Sequence, residues 1–154
     1  MKFITALVVG WVLIGAGNAA LAAPKPASSI PASSLIQPAD LAATLRSDGA
    51  PRPLILQVGF RTMYVQSHIS GAEYAGSANE ESGLQRLRER VATLPKDAAM
   101  VIYCGCCPWG HCPNVGAAFA ALRELGFSQV KVLYIAENFD DDWVSKGYPA
   151  AKGP

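Results

Sequence analysis

The chain has 154 residues, 13 Lys and Arg against 12 Asp and Glu, and a formal net charge of +1. This balance leaves no excess charge to recruit nucleic acid or an anionic membrane surface. All four cysteines fall between positions 104 and 112, which excludes a secreted disulfide scaffold, whose cysteines are spread along the chain to staple distant segments.

In chain order, Lys2 is followed by an apolar run from Ile4 to Gly15 and then by Ala20-Leu21-Ala22, small residues at the two positions that a signal peptidase reads. Residues 1–22 are therefore expected to be a cleaved signal peptide, and the protein periplasmic or secreted. The competing reading is a retained anchor over 3–23, which Asn18 and the Gly and Ala content weaken as a membrane span. No cysteine follows the run, so no lipid anchor is indicated. Removing 22 of 154 residues leaves 132, enough for one domain, and removing Lys2 leaves basic and acidic residues in equal number. No membrane contact is expected after cleavage. Residues 23–34, rich in Pro and Ser, read as a linker, and the domain is expected over 35–150.

Pro38 opens a helix running to Leu45, which Asp48-Gly49 ends. Residues 54–58, 100–103 and 130–134 are short, nearly continuous β-forming runs, the pattern of strands covered on both faces. Between them, 80–94 and 115–125 carry apolar residues at helical spacing, and Gly126 stands at a helix stop. Strands alternating with helices imply an α/β fold with a mainly parallel sheet and helices on both faces. In such sheets ligands bind at the carboxyl ends of the strands, and the cysteine loop 104–112 follows directly from the strand ending at Tyr103.

Cys112 precedes Pro113, which fits the first turn of a helix, so Cys112 is a cap residue facing unpaired backbone N–H groups that favour its thiolate. The thiolate is the form that attacks sulfur, binds metals and forms persulfides.

Gln57-Val58-Gly59, Met63-Tyr64 and the stretch Ser67 to Ala72, followed in the same order by Leu125-Gly126-Phe127, Trp143 and Gly147-Tyr148-Pro149, together resemble the rhodanese family of sulfurtransferases. Its Asp-Val-Arg, Glu-Tyr and Gly-His-Ile-Pro-Gly-Ala segments align without gaps on Gln57-Val58-Gly59, Met63-Tyr64 and Ser67-His68-Ile69-Ser70-Gly71-Ala72. Downstream, Leu125-Gly126-Phe127, Val130, Trp143 and Gly147-Tyr148-Pro149 look like the family's last helix, last strand and closing Gly-x-Pro. The resemblance covers about Leu35 to Pro149. It implies a rhodanese-like three-layer fold with a mainly parallel sheet of about five strands, no cofactor, and a cysteine whose persulfide is held by inward-pointing backbone N–H groups.

The family's loop is Cys-x-x-Gly-x-Arg. Counted from the strand, Cys104 matches its nucleophile. Counted back from Gly126, Cys107-Pro-Trp109-Gly110-His111-Cys112 fits, with Cys112 where the family has arginine. Both alignments stand at this point. The candidate catalytic residues are thus Cys104, Cys107, Cys112 and Cys106, with Gly105, Trp109, Gly110 and His111 as candidate substrate-binding residues. The loop has no Arg or Lys for an anionic donor such as thiosulfate. Its extra thiols can attack a persulfide or mixed disulfide on the first cysteine.

The expected function is an exported sulfurtransferase or persulfide carrier, served by a small sulfur donor or a thiol partner protein. Two alternatives are a soft-metal module binding copper or zinc through Cys104, Cys107, His111 and Cys112, and a thiol-disulfide oxidoreductase. His68 reads as a structural histidine. Arg86, Arg88 and Arg90 read as a solvated helix face. Residues 138–142 read as the start of a last helix, their acidic and amide side chains complementing its dipole, with calcium binding a minor alternative.

Overall fold

A computed structural model describes residues 29–49 and 51–154. The expected signal peptide and the first part of the linker lie outside the described residues. Five strands form one sheet in the order β1-β6-β5-β2-β4: β1 is Leu35–Ile36, β2 Leu54–Gln57, β4 Glu73–Tyr74, β5 Met100–Tyr103 and β6 Val130–Leu133. Every neighbouring pair in it is parallel. A second, antiparallel pair joins β3 (His68–Ile69) to β7 (Ala150–Ala151). The helices are α1 (Pro38–Arg46), α2 (Arg61–Gln66), α3 (Glu81–Val91) and α4 (Pro113–Glu124).

Residues along the central strands alternate between two cores because successive side chains point to opposite faces. Leu56, Met100, Ile102, Val130 and Val132 pack with Leu87 and Val91 of α3 and Val115, Ala118 and Leu122 of α4. Ile55, Val101, Tyr103 and Leu133 pack with Leu41 and Leu45 of α1 and with Trp143. Both faces are therefore covered, which is why the sequence runs are mostly apolar, with Gln57 at the end of β2 and the exposed Lys131 in β6 as exceptions. Cys104 continues the parity of Met100 and Ile102 and joins the α3/α4 core. Among the described residues no helix is long and apolar enough to cross a membrane.

Two expectations change. The linker was expected through 34, but Ile30 is buried in the α3/α4 core, Ala32–Ser34 form a 3-10 turn, and Lys131 donates to the Ser33 carbonyl at 2.6 Å. Residues 30–34 thus belong to the packed domain rather than to a linker. The segment after residue 138 is a single π-helical turn, Asp140–Val144, rather than a helix. Its polar side chains bind locally: Asn138 Oδ1 accepts the Asp141 N–H at 3.0 Å and Asp142 Oδ2 accepts the Glu137 N–H at 2.8 Å. Among the described residues, no metal-sized grouping of ligating atoms includes these acids.

The other structural readings hold. His68 Nδ1 lies 2.8 Å from the Tyr64 carbonyl oxygen and its ring stacks on Tyr64 at 4.0 Å, fixing the turn into β3. Arg88 and Arg90 pair with Glu81 at 2.6 Å and Glu73 at 2.5 Å on the solvent side of α3.

Candidate active site

The loop leaves β5 at Cys104 and enters α4 at Cys112, the cap residue before Pro113. Two backbone bonds tie it to the following strand and turn: Phe139 donates to the Gly105 carbonyl at 3.1 Å and Trp109 to the Ala136 carbonyl at 2.9 Å. Gly105 has φ +76°, and an added Cβ would stand 2.7 Å from Phe139 Cβ, so both conformation and space require glycine. Trp109 packs its ring on Tyr134 at 5.1 Å.

The loop curls the sulfur atoms together. Cys104 Sγ is 3.0 Å from Cys106 Sγ, which is 3.2 Å from Cys107 Sγ. The Sγ atoms of Cys104, Cys106 and Cys112 all lie within 4.8 Å of one another. No metal is expected from the sequence, and the ligand set of its metal-binding alternative, Cys104, Cys107, His111 and Cys112, is not the group that the fold brings together. Cys106 takes the place of Cys107, and His111 is exposed outside the group. The reason is the direction of the chain: Cys106 turns inward under the loop, while the backbone turn from Pro108 to His111 carries the imidazole to the surface.

Such closely packed thiols cannot all ionise, since each charge opposes the next. The charge settles on Cys112, whose thiol is lowered to about 2, first by the neighbouring Cys104 and Cys106 thiols, whose sulfurs lie within 4.8 Å, and then, against the cost of burial, by the Val115 and Asn114 N–H groups at the start of α4. Its side chain makes no capping hydrogen bond, so the helix acts through its free N–H dipoles. Cys104 is held down by its bond to Cys106, but the nearby Cys112 sulfur and its burial outweigh this and push it up to about 12. Burial, then Cys106, pushes Cys107 up to about 12. Cys106 is raised by its bond to Cys104 and by the nearby Cys112 sulfur.

Asn114 escapes sequence inspection. It is fully buried on the first turn of α4, donates from Nδ2 to Cys104 Sγ at 3.4 Å, and reaches Cys106 Sγ at 3.9 Å. Its Oδ1 accepts the Asn79 N–H at 3.0 Å, which fixes the orientation of the amide. The only sequence signal was a polar residue one position after the helix-opening proline. Gln57 is also buried: its Oε1 accepts the Gly59 N–H at 3.2 Å and its Nε2 approaches the Cys104 carbonyl at 3.5 Å. Gly59 itself touches the site, since a Cβ there would stand 2.5 Å from Cys104 Sγ.

Of the four cysteines, only Cys104 borders a cavity of about 270 Å³. Its apolar wall is Met63, Tyr103, Phe139 and Val144; its polar wall is Gln57, Gln66 and Ser67, with Asp140 and Lys152 as its charged members. None of Gly105, Trp109, Gly110 and His111 lines it. Gly105 and Trp109 instead border, with Cys104, Cys107 and Cys112, a void of about 10 Å³ beneath the loop, and Gly110 only turns the chain at φ +65°. The cation missing from the loop comes from the C-terminal tail. Strand β7 pairs with β3 and Gly153 donates to the Val65 carbonyl at 3.0 Å, which pins Lys152 beside α2.

No protein-family model matches the chain, and no curated protein matches it. Solved structures do. The solution structure of the rhodanese-like domain of the Alr3790 protein from Anabaena sp. is 23% identical, with a TM-score of 0.57 over 77% of this chain and 79% of that one. The crystal structure of Alr3790 is 24% identical, with a TM-score of 0.59 over 77% and 92%. The BH2092 protein of Bacillus halodurans is 21% identical, with a TM-score of 0.60 over 78% and 77%. The chain therefore has the rhodanese-like α/β fold, with a cysteine-rich loop after the central strand.

Proposed function

We propose that the protein is an exported sulfurtransferase or persulfide carrier in which Cys104 accepts sulfane sulfur. The observation that carries this reading is that Cys104, on a rhodanese-like fold, is the one cysteine bordering the cavity, while its sulfur touches Cys106 and lies within 4.8 Å of Cys112. The Cys104 thiol gives its proton to a solvent base, since Cys112, already held as a thiolate far below the ordinary thiol range, is too weak a base to take it, and the Cys104 thiolate attacks the sulfane sulfur of the donor. The donor's S–S bond breaks, its leaving group departs with the electron pair, and Cys104 carries the persulfide. The amide of Asn114 supports the anionic sulfur.

Cys106 then either takes the outer sulfur, to pass it toward Cys107, or displaces it as hydrosulfide and forms a disulfide with Cys104. The second route needs a thiol reductant or a partner protein to restore the thiols. The test is mass spectrometry of protein purified without reductant, then incubated with thiosulfate, polysulfide or a thiosulfonate, for wild type and each Cys→Ala variant. A gain of about 32 Da that only Cys104→Ala prevents supports the assignment. Failure of every donor to load any cysteine refutes it. N-terminal sequencing of the mature protein from the native host tests export, with Ala23 the expected first residue.

One observation favours a second reading. Three sulfurs within 4.8 Å of one another suit a soft, thiophilic ion such as copper(I). Anaerobic titration with copper(I), giving one tightly held ion that Cys106→Ser releases, would support it; absence of stoichiometric binding would remove it.

A further inference from the structure

The cavity beside Cys104 carries one charge of each sign. Lys152 from the C-terminal tail and Asp140 from the π-turn both border it, and neither is engaged. The two salt bridges among the described residues lie elsewhere, on α3, and no hydrogen bond occupies either side chain. Gln57, Gln66 and Ser67 also line it and offer uncharged donors and acceptors. The space of about 270 Å³ equals roughly nine waters at their share of liquid volume. That exceeds an inorganic sulfur anion and leaves ample room for an amino acid. A site built for thiosulfate needs only positive charge, so Asp140 in the same lining opposes such an occupant.

Resting on the sulfurtransferase reading above, we propose that the sulfur donor is a zwitterionic persulfide of the amino-acid class, its carboxylate facing Lys152, its ammonium facing Asp140 and its outer sulfur at Cys104. The transfer balances without a further reactant. The Cys104 thiolate bonds to the outer sulfur of R–S–SH, the donor's S–S bond breaks, and the leaving sulfur keeps the electron pair and takes the donor's proton. The products are R–SH and a Cys104 persulfide anion. Charge complementarity at both ends holds the S–S bond in one direction, whereas a single-ended donor can enter in several.

The test measures the second-order rate of Cys104 persulfidation in the full chain with four probes: cysteine persulfide, its N-acetyl form, its ethyl ester and inorganic polysulfide. Cysteine persulfide is expected to load Cys104 roughly three- to tenfold faster than either blocked form, the range for partly solvated charge pairs. Lys152→Gln is expected to remove the preference for acid over ester, and Asp140→Asn the preference for amine over N-acetyl. Reading each ratio against its variant cancels intrinsic differences in donor reactivity. Both residues are exposed, so neither change endangers the fold. Equal rates with the three organic donors, or preferences that survive the variants, overturn the proposal. If polysulfide loads Cys104 while the preferences are absent, only the donor assignment falls; if nothing loads Cys104, the sulfurtransferase reading falls with it.

Discussion

Asn114 joins the sulfur cluster to the turn before α3: its Nδ2 donates to Cys104 Sγ at 3.4 Å while its Oδ1 accepts the Asn79 N–H at 3.0 Å. Because the residue is fully buried, losing either bond leaves a polar group with no water to replace the partner. Asn114→Ala is expected to lower stability by about 1–3 kcal/mol in urea unfolding, the cost of a buried unsatisfied group. Asn114→Asp keeps the acceptor for Asn79 but sets a carboxylate beside Cys104. It should fold better than the alanine variant yet load sulfur more slowly than wild type at neutral pH, since a like charge disfavours the thiolate.

Two glycines make opposite predictions. Gly105→Ala combines φ +76° with a 2.7 Å clash against Phe139 Cβ, so thermal unfolding should show a loss of roughly 2 kcal/mol or more. Gly59→Ala meets the side-chain atoms Cys104 Sγ at 2.5 Å and Gln57 Nε2 at 3.1 Å, with the nearest backbone atom, Cys104 Cα, at an ordinary 3.6 Å. The fold should survive while Cys104 is displaced, and sulfur loading should fall by about tenfold or more, as expected for a misplaced reacting atom.

The thiols predict a pH dependence for the reduced protein. Cys112 is lowered to about 2 in the fold, so its stabilisation is complete only above the free-thiol range and is lost steadily as pH falls toward that value. Cys104 and Cys107 are raised to about 12; their contribution is complete below the free-thiol range and is lost as pH rises through about 12. The urea midpoint should therefore climb from about pH 5 to about pH 8 and decline in strong alkali. Cys112→Ser should flatten the climb. It should also abolish the thiolate ultraviolet absorbance of the neutral protein, whereas an unchanged absorbance would place the charge on another sulfur.

Cys106 sits between Cys104 at 3.0 Å and Cys107 at 3.2 Å, so Cys106→Ser interrupts onward transfer without removing the first acceptor. After one equivalent of polysulfide, the variant is expected to retain the added 32 Da or so on Cys104, while wild type releases hydrosulfide or moves the sulfur along the loop. Peptide mapping by mass spectrometry distinguishes the two. Equal persulfide lifetimes would remove Cys106 from the route.

The three central strands are legible in the sequence because burial on both faces leaves them short, mostly apolar β-forming runs, broken only by Gln57 and Lys131. Leu54–Gln57, Met100–Tyr103 and Val130–Leu133 all fall within the expected segments. Helix α2 and the two-residue strands are not. Two residues show no periodicity, and Leu35–Ile36 is a strand only because it meets Val132 and Leu133 of β6. The last turn, Asp140–Val144, carried the polar residues of a helix start, but its side chains bond backbone groups within the turn and no helix follows.

At the site, the order of residues along the chain already fixes that four thiols lie between a buried strand and a helix N-terminus, and that Cys112 caps that helix, because strand, turn and cap are local patterns. Which thiol meets the cavity, and what lines it, is decided by contacts between distant segments. The parity of β5 turns Cys104 inward, but Gln57 arrives through the pairing of β2 with β5, Asp140 through the turn anchored on Gly105, and Lys152 through the pairing of β7 with β3. Sequence spacing records none of these approaches. The loop that lacks a cation in the sequence therefore borders a cavity with one in the fold.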